Sequence, residues 1–181
     1  MRKIGILSLA LFAGLLLMVT PENAQAGKDE NTLFMDLKYG RVVIKLRTDL
    51  APKHVTRIKK LVREGFYDGI VFHRVIEGFM AQSGDPTGTG AGGSKYPDLK
   101  AEFTSAPYVR GTLGMARSPD SNDSANSQFF IMFRSNENLD GKYTVWGKVI
   151  RGMEFVDKIA RGEPPANPDK IIKMQVAADA K

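Results

Sequence analysis

Between Leu33 and Val176 the chain alternates short apolar runs with polar and glycine-rich breaks, and the spacing inside each run assigns its element. Leu33-Phe34-Met35-Asp36-Leu37-Lys38 and Arg41-Val42-Val43-Ile44-Lys45-Leu46 alternate in part between apolar and polar positions, and the Tyr39-Gly40 turn between them predicts an antiparallel hairpin. From Pro52 the period changes. Val55, Ile58, Leu61 and Val62 recur at helical spacing, with Pro52 in the first turn and Gly65 past the end, so a helix is expected near residues 51–64. Beyond it lie Val71–Ile76, Phe79–Gln82, Gly111–Ala116, Gln128–Phe133 and Tyr143–Ile150, then a second helical stretch over Met153–Ala160 and a last strand candidate over Lys170–Val176. Many short strands with two isolated helices and 18 glycines point to a closed barrel or a sandwich, not to alternating βαβ units. No repeat, linker or second domain interrupts this stretch. The long breaks from Gly84 to Gly111 and around Ser118–Ser127 are where function is expected to sit on a rigid scaffold.

The first residues follow a different pattern. Arg2 and Lys3 precede an almost unbroken apolar run from Ile4 to Val19, and the small-residue triplet Ala24-Gln25-Ala26 follows Thr20-Pro21-Glu22-Asn23. That layout is a secretory signal peptide over residues 1–26, with cleavage predicted after Ala26 and a single domain over residues 27–181. The run is short for a spanning helix, which needs about 20 residues; a retained anchor is the alternative. The exported chain would work in the periplasm or outside the cell.

Composition narrows the chemistry. With no cysteine there is no disulfide framework, thiolate metal cluster or catalytic thiol, and two histidines, His54 and His73, cannot build a His-rich metal site. His54, beside Lys53 and near Arg57, reads as a solvated or partner-bonded surface residue; His73, between Phe72 and Arg74, reads as a buried, hydrogen-bonded structural one. The formal net charge of +6 falls to +5 when Arg2, Lys3 and Glu22 leave with the signal peptide. Lys53, Arg57, Lys59, Lys60 and Arg63 lie opposite Val55, Ile58 and Val62, as on the solvated side of an amphipathic helix, so no nucleic-acid partner is expected. Gly88-Thr89-Gly90-Ala91-Gly92-Gly93 spells a dinucleotide fingerprint in the wrong context, since Ser94-Lys95-Tyr96-Pro97 follows where a helix should open. It reads as a flexible glycine loop beside a site.

The most informative stretch is Phe72-His73-Arg74-Val75-Ile76-Glu77-Gly78-Phe79-Met80-Ala81-Gln82-Ser83-Gly84-Asp85. Met115-Ala116-Arg117, Asn126-Ser127-Gln128-Phe129-Phe130-Ile131 and Leu139-Asp140-Gly141-Lys142-Tyr143-Thr144-Val145-Trp146 follow in order. Taken together these motifs resemble the cyclophilin family of peptidyl-prolyl cis-trans isomerases, over about Thr32 to Val176. The resemblance implies a mainly β fold, a closed eight-stranded antiparallel barrel capped by two α-helices, with a shallow groove on its outer face. It implies that Arg74 is catalytic and that Phe79, Met80, Phe130 and Leu139 take the substrate proline ring. Gln82, Ala116, Arg117 and Gln128 would hold the peptide backbone, with Gly88 in the loop bordering the neighbouring subsite. It implies a protein-folding role on proline-containing segments, with no cofactor, and we expect a monomer.

Two positions depart from many eukaryotic members. Asn138 stands where they carry a tryptophan, which implies weak cyclosporin inhibition, and Tyr143 stands where they carry a histidine while still offering an aromatic wall. Trp146 reads as core. A chaperone that holds Pro-containing segments in the same groove without turnover is the main alternative, and a nucleotide-dependent enzyme rests on the glycine loop alone.

Overall fold

The structure, a computed structural model, describes residues 29–180; the signal peptide read over residues 1–26 lies outside them. Eight strands form one antiparallel sheet: β1 (Thr32–Leu37), β2 (Gly40–Leu46), β3 (Arg74–Ile76), β4 (Met80–Ser83), β5 (Thr112–Met115), β6 (Phe129–Met132), β7 (Val145–Arg151) and β8 (Lys173–Val176). Their order across the sheet is β3-β4-β6-β5-β7-β2-β1-β8. Helix α1 (Pro52–Arg63) and the short α2 (Met153–Val156) pack against it. The predicted hairpin is β1–β2, with Leu37 opposite Gly40. Gly40 is required there, because its φ is +144° and a Cβ would come within 2.6 Å of the Phe155 ring.

The main core lies on one face of the sheet. Leu33, Met35, Ile44, Leu113, Phe129, Ile131 and Trp146 meet Val55, Ile58, Leu61 and Val62 of α1 in one buried cluster. Full burial of an aliphatic side chain such as Ile58 contributes about 1.5–3 kcal/mol, which outweighs the modest propensity of a helix with two β-branched valines. Trp146 is core as read, edge-on to Phe129 with ring centroids 5.5 Å apart. The basic side of α1 faces outward but is largely engaged. Arg63 pairs with Glu30 and Asp179, and Arg57 donates to the Pro97 carbonyl and lies over the Tyr96 ring.

Three expectations change. The sheet is a curled half-barrel, not a closed barrel: β3 and β8 are its two edges and no ladder joins them. The seam is crossed by single pairings, Val71 with Lys170 and Val75 with Gly162, and by the Phe72 N–H to Asp169 carbonyl bond of 2.8 Å. The segment crossing it holds Gly162, Pro164, Pro165 and Pro168, and proline has no N–H to contribute to a ladder. The second helix is also shorter than Met153–Ala160. After Val156 the amides of Lys158 and Ile159 bond three residues back, tightening the turn, and the Ala160 N–H goes to the Asp169 carboxylate at 2.8 Å.

His54, lastly, is not solvated: it is fully buried. Its Nδ1 lies 2.6 Å from Glu102 Oε2, and the same carboxylate accepts the Lys53 and His54 backbone N–H groups at 3.2 and 3.0 Å. Ala51 offers no capping side chain, so Glu102, from a loop far along the chain, meets the positive end of α1 and His54 together. Burial pushes the His54 pKa down, with the Glu102 hydrogen bond opposing. Among the described residues no helix is long and apolar enough to cross a membrane.

Candidate active site

Cross-strand partners in a sheet share a face, so the register alone assembles a row of side chains. Arg74 of β3 stands opposite Gln82 of β4, Gln82 opposite Phe130 of β6, and Phe130 opposite Gly114 of β5. One step along, Ile76, Met80 and Met132 form a second row. Together with Tyr108 and Val145 these residues make an apolar cluster separate from the main core. It opens into a pocket of 140 Å³ lined by Arg74, Phe79, Met80, Gln82, Ala116, Arg117, Phe130, Leu139 and Tyr143. Nine of the eleven residues singled out from the sequence therefore converge on one cavity.

Phe130 is the best-fixed wall of this pocket. Its ring stacks on Tyr108, with centroids 5.6 Å apart and planes 25° apart, and meets Tyr143 edge-on at 5.7 Å. Gly114 makes that stack fit: a Cβ there would lie 2.5 Å from both Phe130 Cζ and Tyr108 Oη. The Arg117 guanidinium sits over the Tyr143 ring at 4.6 Å and donates to the Lys142 and Ser118 carbonyls, so it divides this pocket from the next.

The neighbouring compartment, of 560 Å³, shares Gln82, Ala116 and Arg117 with the first and is bordered by Gln128, Asn126, Ser118 and residues 90–94. Gly88 lines neither space; the loop reaches the groove through Gly90–Gly93, and a Cβ on Gly88 would face Val71. Nor is the loop loose, as its glycines had implied. The buried Asp85 carboxylate accepts the backbone N–H groups of Thr87, Thr89, Gly90 and Gly92 at 2.7, 3.1, 2.6 and 3.1 Å. Burial alone would raise the Asp85 pKa, but these bonds outweigh it and hold the carboxyl at about 2.

Hydrogen bonds run from this loop to the arginine. Gln128 Nε2 donates to the Gly90 and Gly92 carbonyls at 2.9 and 2.8 Å, and its Oε1 accepts from Gln82 Nε2 at 2.9 Å. Gln82 Oε1 in turn accepts from Arg74 Nη1 at 3.5 Å. The short contact of Arg74 is elsewhere, Nε to Glu163 Oε2 at 2.7 Å. Glu163 was missed in the sequence because it lies 89 residues from Arg74 with no motif around it. Gly114 carried a readable signal, a glycine inside a strand-like run, which marks close approach. His73 is buried as expected, but neither ring nitrogen finds a partner among the described residues, and burial pushes its pKa down.

A profile of the family described as cyclophilin type peptidyl-prolyl cis-trans isomerase matches residues 32–176. A protein of Brucella suis named as a probable peptidyl-prolyl cis-trans isomerase is 55% identical over 176 residues, covering 88% of this chain and 89% of its own. Peptidyl-prolyl cis-trans isomerase B of Bacillus subtilis is 42% identical over 125 residues, covering 68% and 85%. Among solved structures, a cyclophilin from Hirschia baltica superposes with a TM-score of 0.77 at 28% identity, covering 91% of this chain and 83% of that one. A cyclophilin type isomerase of Cryptosporidium parvum, crystallised in the presence of the dipeptide Ala-Pro, gives 0.75 at 30% identity, covering 80% and 98%.

Proposed function

We propose, from the premise that this chain belongs to the cyclophilin-type peptidyl-prolyl cis-trans isomerase family and is an isomerase of that type, that Arg74 accelerates X–Pro rotation by hydrogen bonding to the twisted amide. The observation that supports this most directly is the placement of the Arg74 guanidinium at a small apolar pocket whose second arginine, Arg117, is engaged by the Tyr143 ring and the Lys142 and Ser118 carbonyls. Rotation about a peptide bond faces a barrier of about 18–20 kcal/mol because turning destroys amide resonance. Halfway round, the prolyl nitrogen becomes pyramidal and regains a lone pair that the planar amide lacks. A donor held beside that nitrogen bonds the twisted form and finds no acceptor there in either planar form, which is selective binding of the transition state.

The remaining groups divide the work. Phe79, Met80, Phe130, Leu139 and Tyr143 hold the proline ring and keep water from it, while Gln82 and Gln128 offer amide groups to the peptide backbone in the adjoining compartment. No covalent bond is made or broken, so the reaction asks for no nucleophile or general base. The substrates we propose are proline-containing stretches of unfolded or exported polypeptides, met by a monomer in the periplasm or outside the cell, where the enzyme assists folding. The signal-peptide pattern of residues 1–26 supports that location.

The test is turnover of a short Ala-Pro peptide by the wild type and by Arg74→Ala. A hydrogen bond from a charged donor is worth about 1.5–3 kcal/mol, so kcat/KM should fall by about 10- to 100-fold with the fold intact. Near-normal turnover by a folded Arg74→Ala variant would overturn the arginine mechanism. Retained peptide binding with no turnover in the wild type would favour the holding chaperone.

A further inference from the structure

Glu163 does not line the groove, yet it makes the shortest contact of the side chain on which the proposed mechanism rests. It sits on the segment that crosses the open seam of the sheet. There Val75 N–H donates to the Gly162 carbonyl at 2.8 Å and Gly162 N–H to the Val75 carbonyl at 2.9 Å, so the backbones flanking Arg74 and Glu163 are pinned side by side. Arg161 fixes the same segment from its other side, through Nε to Glu77 Oε2 at 2.7 Å and by stacking on the Phe133 ring at 4.2 Å.

The geometry points to Glu163 as a positioning residue for Arg74: its carboxylate holds Nε so that the Nη groups face the prolyl nitrogen site. This rests on the role given to Arg74 above. A guanidinium is planar, so fixing the Nε–H direction fixes where both Nη atoms point. Gln82 at 3.5 Å is at the limit of hydrogen bonding and cannot do this alone. An ordinary exposed ion pair is the competing reading, since the Arg74 and Glu163 side chains are 42% and 50% exposed. Such pairs add little to stability. That makes the two readings separable: a surface pair changes neither stability nor rate when cut, whereas a positioning pair changes the rate alone.

The experiment measures kcat and KM separately on a proline peptide, with the thermal midpoint, for the full chain carrying Glu163→Ala, Glu163→Gln, Arg74→Ala or Arg74→Ala with Glu163→Ala. Loss of a catalytic group's orientation should lower kcat about 5- to 10-fold in Glu163→Ala at a KM within about twofold and an unchanged midpoint. Glu163→Gln should stay within about twofold of wild type, because the amide oxygen still accepts from Nε. In the Arg74→Ala background the second substitution should change nothing further. The inference is overturned if Glu163→Ala keeps normal kcat, if Glu163→Gln falls as far as Glu163→Ala, or if the loss recurs without Arg74. An active Arg74→Ala overturns the arginine mechanism and this inference with it. An inactive Arg74→Ala beside a normal Glu163→Ala overturns this inference alone.

Discussion

Replacing Asp85 with asparagine should destabilise the protein in a manner that depends on pH. The Asp85 carboxyl is held at about 2 in the fold against 3.8 in an unconstrained chain, a gap worth about 2–3 kcal/mol at about 1.4 kcal/mol per tenfold change in proton affinity. The folded value lies below the unfolded one, so this stabilisation is complete well above pH 3.8 and disappears as the pH falls through 3.8 and then 2. Urea unfolding of wild type and Asp85→Asn at steps from pH 7 to pH 2 measures it, because subtracting the two curves removes other carboxylates. At pH 7 the variant should be less stable by about 2 kcal/mol or somewhat more, since asparagine also turns an N–H₂ toward backbone donors. The difference should narrow steadily below about pH 5 as the wild-type carboxyl takes up its proton. A difference that stays constant from pH 7 to pH 2 would refute the assignment of charge-assisted loop bonds to Asp85.

Two further outcomes follow from groups described above. Gly114→Ala should cost about 1–3 kcal/mol in denaturant unfolding and raise KM for proline peptides, because the added methyl pushes Phe130 off Tyr108; an unchanged KM with wild-type stability would show that the stack yields freely. His54 and His73 should both titrate below 6.5 in an NMR pH series, burial being the first cause in each. A lowered folded pKa means that stability is lost as the pH falls below 6.5; a His54 midpoint above 6.5 would mean that its Glu102 partner outweighs burial, reversing that sign.

What was legible in the sequence was local. The β1–β2 hairpin, α1 and the buried Trp146 rest on periods of two and 3.6 and on short-range punctuation, and all three stand in the fold. The pocket residues were legible through motifs, because the pairing of Gln82 with Phe130 and of Phe130 with Gly114 depends on strand order that spacing does not state. His54 has the bonding partner that was one of its two readings, but its basic neighbours put it at the surface although it stands four residues before Ile58 and seven before Leu61, on the apolar stripe of α1. Its partner Glu102 lies 48 residues away, and Glu163 lies 89 residues from Arg74, distances at which only the folded chain makes neighbours. The prolines of the seam segment were visible as letters, but strand count and glycine content favour a closed barrel or a sandwich without saying which strand edges meet, and the resemblance to the family added only the closure.

The unequal footing of the row that begins at Arg74 has its own consequence. Phe130 lies on β6, laddered on both sides by β4 and β5, whereas Arg74 lies on a three-residue edge strand backed across the seam by one bridge to Gly162. Local opening begins where few backbone bonds must break together, so the order of the Arg74 edge rests on its Gly162 bridge and its Glu163 contact, whereas that of Phe130 rests on two full ladders. In the mechanism proposed above, cutting the Glu163 contact would therefore unsettle one side of this row and leave the other as it was.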